Sequence, residues 1–158
     1  MPLGEDVVGL HFRYPNSYVV EREKIREYAV AVKNHDPFFF EEKAAIELGY
    51  DGLLAPLTFI SVLGYRAQAA FFAHANIVTK DAQIVQVDQV LKLLKPIQAG
   101  DTLFCDVYVD SVRQAHGTDI IVTKNIITND AGDVVQETYT TLAGRASEGE
   151  EGFSHAIA

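Results

Sequence analysis

Between residues 53 and 72 (LLAPLTFISVLGYRAQAAFF) apolar side chains recur at nearly every angle around a helix, among them Leu57, Phe59, Ile60, Val62, Leu63 and Ala67. A helix that is apolar all round belongs in a core or a membrane. Arg66 and Gln68 interrupt the run, so no stretch of about 18 uncharged apolar residues exists. The pattern therefore predicts a helix over residues 57–72, about 25 Å long at about 1.5 Å per residue, sunk into a soluble domain. Pro56 opens it, since its missing N–H would be unsatisfied in a first turn anyway. Thr58, Ser61, Tyr65 and Gln68 fall on one face as a narrow polar stripe. Gly64 costs about 1 kcal/mol in helix propensity, which implies that something approaches the helix closely there.

Before this helix the pattern predicts a short strand over residues 7–12, a turn at RYPNSY and a helix over residues 21–33 with Ile25, Tyr28, Ala29 and Val32 as its apolar stripe. Pro37 ends the loop NHDP, because the residue before a proline avoids the helical region. A shorter helix over residues 41–48 stops at Gly49, a candidate C-cap. After Asn76 the period changes from 3.6 to 2. Strands are expected over residues 83–91, 103–113, 119–128 and 134–145, separated by KPIQAGD, QAHGT and NDAGD. On the first of these, Val85, Val87 and Leu91 share one face and Ile84, Gln86, Asp88 and Val90 the other. Four sequential antiparallel strands read as one curled meander. Its apolar face needs a covering layer, and the helix at 57–72 is the element suited to supply it. The expected fold is α+β: a single hot-dog domain over residues 1–145, an antiparallel sheet wrapped around a long buried central helix, followed by an unstructured tail over residues 146–158.

The 158-residue chain is long enough for one full core. Its formal net charge of −9 argues against a nucleic-acid-binding surface. It also means that an acidic partner must dock on a local basic patch, such as Arg22, Lys24 and Arg26, or on a second, more basic subunit. The single cysteine, Cys105, rules out an internal disulfide and reads as an inert core thiol. The first residues carry no basic segment followed by an apolar one, so the expectation is a cytoplasmic protein without membrane insertion. No Cys/His spacing suggests a metal, no glycine-rich loop suggests a phosphate, and no cofactor is expected.

Several stretches together resemble the MaoC-like hydratase/dehydratase family: REYAVAVKNHDPFFFEEKAA, LLAPLTF, QIVQVDQ, KPIQAGD and ETYTTLAGR. The resemblance covers about residues 7–145. Within the family the chain looks most like the mycobacterial HadA-type branch, the A subunits of (3R)-hydroxyacyl-ACP dehydratases of type II fatty-acid synthesis. That resemblance implies a hot-dog fold, a β-hydroxyacyl thioester substrate and loss of water to a trans-2-enoyl product. It also implies a heterodimer with a catalytic hot-dog subunit, and an acyl carrier protein bearing a long 3-hydroxyacyl chain that leads toward mycolic acids.

The family's motif, Asp-x-Asn-Pro-x-His, supplies a base for the C2 proton and an acid for the departing hydroxyl. Aligned on Pro37, its Asp falls on Asn34, its Asn on Asp36 and its His on Phe39. An amide takes up no proton at neutral pH and Phe has no polar atom. No catalytic residue is therefore assigned to this chain. The substrate-binding set expected instead is Pro37, Phe39, Leu57, Thr58, Ser61, Tyr65 and Gln86. Competing readings stand beside it. His35 and Asp36 are either a displaced dyad or an Asp-Pro turn with an exposed His. The stripe on the central helix either lines an acyl tunnel or bonds back to its own helix. Gln86 and Asp88 face either solvent or a partner, and Phe38, Phe39, Phe40, Phe71 and Phe72 are either core or the wall of an apolar pocket. The resulting expectation is a non-catalytic subunit of a heterodimeric hydro-lyase. The alternative is a non-enzymatic, acyl-thioester-binding or lipid-binding homodimer. A thioesterase of the same fold ranks last, because Thr58 and Ser61 at the helix start offer no carboxylate.

Overall fold

The computed structural model describes residues 5–78, 83–145 and 154–155. Among the described residues there are three α-helices: α1 (Arg22–Ala31), α2 (Glu42–Glu47) and α3 (Ser61–His74). Strands β1 (His11–Arg13), β2 (Tyr18–Val19), β4 (Gln83–Leu93), β5 (Thr102–Ala115), β6 (Thr118–Asn129) and β7 (Val134–Arg145) form one antiparallel sheet. A separate two-stranded ladder pairs β3 (Ile77–Val78) with β8 (Ser154–His155). Of the two, β8 falls within the stretch expected to be unstructured; the other residues of 146–158 lie outside the described ones.

The strand order is β1-β5-β6-β7-β4, with β2 also on β5. This corrects the meander expectation: β5, β6 and β7 follow one another through hairpins, but β4 pairs with β7 and lies at the far edge. Residues 94–101 make the crossing. Leu94 N–H and Lys95 N–H both donate to Val135 O, Ala55 N–H to Ile97 O, and Gly100 N–H to Val20 O. The segment is thus tied to the loop before α3 and to β2 as it runs from one edge of the sheet to the other. The β5–β6 hairpin turns on His116 and Gly117, both at positive φ (51° and 74°), as a two-residue type I′ turn requires.

The helix over residues 57–72 needs two corrections. Residues 57–60 form tight turns, with Phe59 N–H donating to Pro56 O and Ser61 N–H to Thr58 O, and the helix starts at Ser61. Nor is it buried on every side. Leu63, Ala67 and Phe71, one turn apart, face the sheet and are buried, whereas Tyr65 is 77% exposed. Leu57, ahead of the helix, is also largely exposed. Small residues explain the discrepancy: Ala69, Ala70 and Ala73 count as apolar in sequence but carry little surface to bury. Both shorter helices end in Schellman turns. Gly49 stands at φ 92° with Tyr50 N–H donating to Ala45 O, as expected; Lys33 takes φ 57° with Asn34 N–H donating to Ala29 O.

A bulge between Gln86 and Asp88 overturns the predicted alternation of β4. Gln86 pairs with Leu142, which is buried on the inner face, and Asp88 with Thr141 on the outer one. The extra residue flips every side chain after it, so Gln86 and Gln89, rather than Gln86 and Asp88, share a face. On β5, Leu103, Cys105, Val107 and Val109 point inward as predicted. With α3 against that face, the architecture is the hot-dog fold. Truncating Phe71 to Ala should cost about 3–5 kcal/mol in urea denaturation, while Tyr65→Ala should stay within about 0.5 kcal/mol. Equal losses would contradict a helix buried on one face.

Candidate functional site

The end of α1 launches the loop that corresponds to the family motif. The left-handed Lys33 turns the chain away from the helix, and the Asn34 side-chain oxygen accepts the Asp36 N–H at 3.3 Å. A 3-10 turn, Pro37–Phe39, follows. The guanidinium of Arg26 donates twice to Phe40 O (3.0 and 2.9 Å), and Leu54 N–H donates to Phe38 O at 3.1 Å. These bonds hold the loop against both α1 and the segment before α3.

A cavity of ≈ 680 Å³ opens beside this loop. Asn34, Asp36 and the buried Phe39 line it from the loop, and Leu57 and Thr58 from the turn ahead of α3. Leu93, Leu94 and Lys95 close it from the end of β4, with Gln136 of β7 in its wall. A second cavity of ≈ 160 Å³ lies between α3 and the sheet. The helix contributes Ser61, Gly64, Tyr65 and Gln68; β4 contributes Gln86 and Gln89. Asn125 of β6 and Thr138 and Thr140 of β7 complete it. Gln136, Thr138 and Thr140 are alternate residues on one face of one strand, about 7 Å per step of two. The two cavities are therefore neighbours along β7, the first mainly apolar and the second amide- and hydroxyl-lined.

The predicted site residues divide between them. Phe39, Leu57 and Thr58 line the first and Ser61, Tyr65 and Gln86 the second; Pro37 lines neither. Thr58 is already engaged, its carbonyl and hydroxyl oxygens lying 2.8 and 2.9 Å from the Tyr28 hydroxyl. Gln68 accepts from the Thr123 hydroxyl at 3.1 Å, which ties the helix stripe to the sheet. His35 is exposed and stacks on Phe40, away from both cavities, whereas Asp36 lines the first. Among the described residues the titratable linings are Asp36, Tyr50 and Lys95 in the first cavity and Tyr65 in the second. Lys95 is committed to Asp133 at 2.6 Å, and its ammonium holds that carboxyl below the usual range. Among the described residues no cluster of His, Cys, Asp or Glu is placed to hold a metal ion.

Sequence reasoning missed Gln89, Asn125, Gln136, Thr138 and Thr140. On β6 the inward set is Asp119, Ile121, Thr123, Asn125 and Ile127, and the outward set includes Ile120, Val122 and Ile126. Hydrophobicity alone favours the wrong face. The missing signal was pairing: Asn125 sits opposite Val107, a residue the sequence does place inward.

The basic patch proposed for an acidic partner is neutralised within the chain. Arg22 pairs with Glu42 (2.9 Å), Lys24 with Glu27 (3.3 Å), and Arg26 with Glu23.

Residues 6–138 match the model of the FAS1-like dehydratase domain region. The chain belongs to that family. It is 74% identical, over the whole of both chains, to a "UPF0336 protein" of Mycolicibacterium paratuberculosis. Among solved structures it resembles a chain of the HadBC (3R-hydroxyacyl-ACP dehydratase) complex of Mycobacterium tuberculosis, with 48% identity and a TM-score of 0.80, over 88% of this chain and 98% of that one. A MaoC-like dehydratase matches with 38% identity and a TM-score of 0.84 over 91% of this chain, which spans 44% of that longer protein. The family thus carries the hydratase/dehydratase hot-dog fold on which the two cavities are built.

Burial pushes the Cys105 thiol up to about 12, with Asp106 adding to the shift. It should resist a thiol-modifying disulfide reagent at pH 8 in the folded protein and react within minutes in denaturant, because the thiolate is the nucleophile. Stoichiometric labelling of the native chain would show that β5 opens locally.

Proposed function

We propose that this chain is the substrate-binding, non-catalytic subunit of a heterodimeric (3R)-hydroxyacyl-ACP dehydratase of type II fatty-acid synthesis, an A-type subunit serving mycolic acid formation. The observation that carries the reading is the ≈ 680 Å³ apolar cavity set against a motif loop that presents Asn34, Asp36 and Phe39 where the family's Asp, Asn and His would stand. A cavity of that size lined by Phe39, Leu57, Leu93 and Leu94 suits a long acyl chain.

The reaction takes a proton from C2 of the 3-hydroxyacyl thioester, expels the C3 hydroxyl as water and leaves a trans-2-enoyl thioester. It needs a base and an acid on the two sides of one C–C bond. Asn34 and Phe39 supply neither, so the Asp and His come from a partner hot-dog subunit. This chain's share is to hold the acyl group still while the partner's pair acts, converting a flexible chain into an oriented one.

The edge of the sheet supports a partner. Among the described residues β4 is paired only on its β7 side, and Val85, Val87, Val90, Leu93 and Leu94 are exposed along it and just beyond. A long apolar edge left open is an aggregation liability, and a second chain covers it. The acyl carrier protein is acidic, and the cations of α1 are already paired, so its docking falls on the partner subunit.

Co-expression with a catalytic hot-dog chain, followed by light scattering and hydration of a long trans-2-enoyl-CoA, tests the proposal. The pair should be a stable heterodimer and the isolated chain at least about 100-fold slower, the scale of a lost acid–base pair. A comparable rate from the chain alone would sink it. A homodimer that binds acyl thioesters and gains no activity from any partner would favour the non-enzymatic lipid-binding reading instead.

A further inference from the structure

Two buried polar atoms at the cavities have no hydrogen-bond partner among the described residues: Asn125 Oδ1 and Gln136 Nε2. Asn125 is 4% exposed and Gln136 1%. Leaving such groups unpaired is costly, and apolar residues of similar shape would serve the free protein better. Their neighbours on the same face do find partners: Thr123 bonds Gln68, and Gln89 reaches Thr140 at 3.5 Å. The two orphans are also close to each other. Asn125 pairs with Thr138 and Gln136 with Ile127, so they are diagonal neighbours across β6 and β7, about 7–8 Å apart at the backbone. One group borders the amide-lined cavity and the other the apolar cavity next to it.

We propose that Asn125 and Gln136 form a hydrogen-bonding subsite for an oxygen function carried by the bound acyl chain. Gln136 donates its side-chain N–H to a ligand carbonyl or hydroxyl oxygen; Asn125 accepts from a ligand hydroxyl. The ligand is mostly apolar, because Phe39, Leu57 and Leu93 surround the approach to Gln136. It carries oxygen, because a plain hydrocarbon would leave both amides unpaired. Gly64 makes the subsite possible: a Cβ there would stand 3.4 Å from Asn125 Nδ2, so a larger side chain would crowd the amide. The proposal rests on the acyl-chain reading above. Two sources share the chemistry: the 3-hydroxyl and thioester carbonyl of the reacting end, or an oxygen farther along the chain.

The test measures binding of decanoyl-, 3-hydroxydecanoyl- and 10-hydroxydecanoyl-CoA by titration calorimetry to the full chain, alone and with its partner, for the native sequence, Asn125→Leu and Gln136→Met. The native protein should prefer one hydroxylated chain over the plain one by about three- to tenfold, the worth of a neutral hydrogen bond. Both variants should erase that preference by raising plain-chain affinity toward that of the hydroxylated chain, and keep or raise the melting temperature. A purely structural role would lower stability and leave the preference intact. Loss of preference for the 3-hydroxy chain identifies the reacting end; loss for the 10-hydroxy chain identifies a distal oxygen. No preference in the native protein, or a preference unchanged in both variants, overturns the subsite. Should an apolar variant fail to fold, Asn125→Ser shortens the reach of the group with the same expected loss. Because the readout is binding, a chain that keeps the hydroxyl preference yet never supports dehydration would refute the dehydratase subunit and leave the subsite standing.

Discussion

At Gly64 the backbone of α3 passes so near the sheet that an added Cβ would touch the amide of Asn125. The helix there meets the sheet with no side chain of its own between them. One turn before it Ile60, and one and two turns after it Ala67 and Phe71, with Leu63 beside it, seal the helix against apolar residues, while at the glycine the helix meets amides and hydroxyls. A methyl at residue 64 would just meet the Asn125 amide, and anything longer would reach into the cavity beside it. The glycine therefore offsets its own propensity cost by letting a polar strip of sheet lie directly under the helix.

The polar strip explains why the interior divides. Across the sheet, one row runs Cys105, Ile127, Gln136, Leu93; the next runs Val107, Asn125, Thr138, Leu91; the third runs Val109, Thr123, Thr140, Gln89. The β5 side of each row is apolar and fully packed. Every β7 position, and the β6 positions of the second and third rows, is polar and packs less well against a helix, because amides that lack partners resist close apolar contact. Space remains where packing is poorest, so cavities follow β7 while the core follows β5. The larger cavity extends toward the loop at residues 34–39, where Phe39 contributes an apolar wall.

Much of the fold was legible. The strands of β5 to β7, both hairpin loops, the Gly49 cap and the hot-dog architecture follow from period, turn residues and the matched stretches. The place of β4 was not legible, because residues 94–101 look like an ordinary turn; only their bonds to Val135, Leu53 and Val20 show that they cross the molecule. The bulge at Gln86 was hidden in a run of alternating Val and Gln in which either register looks plausible. The site was read by halves. Ser61, Tyr65 and Gln86, expected from a polar stripe and a matched motif, line one cavity. Asn125 was missed because β6 is more apolar on the outside than on the inside, so a hydrophobic count points the wrong way, and Gln136 because the inner face of β7 is itself largely polar, with Gln136, Thr138 and Thr140. Pairing against Val107 and Cys105 decides the face, and pairing is a tertiary fact.

The same inversion bears on what the chain needs from outside. Ile120, Val122 and Ile126 lie on the outer face of β6 at intermediate exposure, and Val85, Val87 and Val90 are open along β4. A domain that turns amides inward and valines outward has exchanged some of the stability of an isolated unit for a lined interior and an adhesive edge. Such an exchange is tolerable when two further bodies complete the structure: a ligand against the inner amides and a second chain along β4. Each alone leaves a cost standing, since ligand binding does nothing for the valines and a partner strand does nothing for Asn125 and Gln136. On the proposed reading a ligand acts on the inner face of β7 and a second chain on the free edge of β4, and the β4–β7 ladder joins the two.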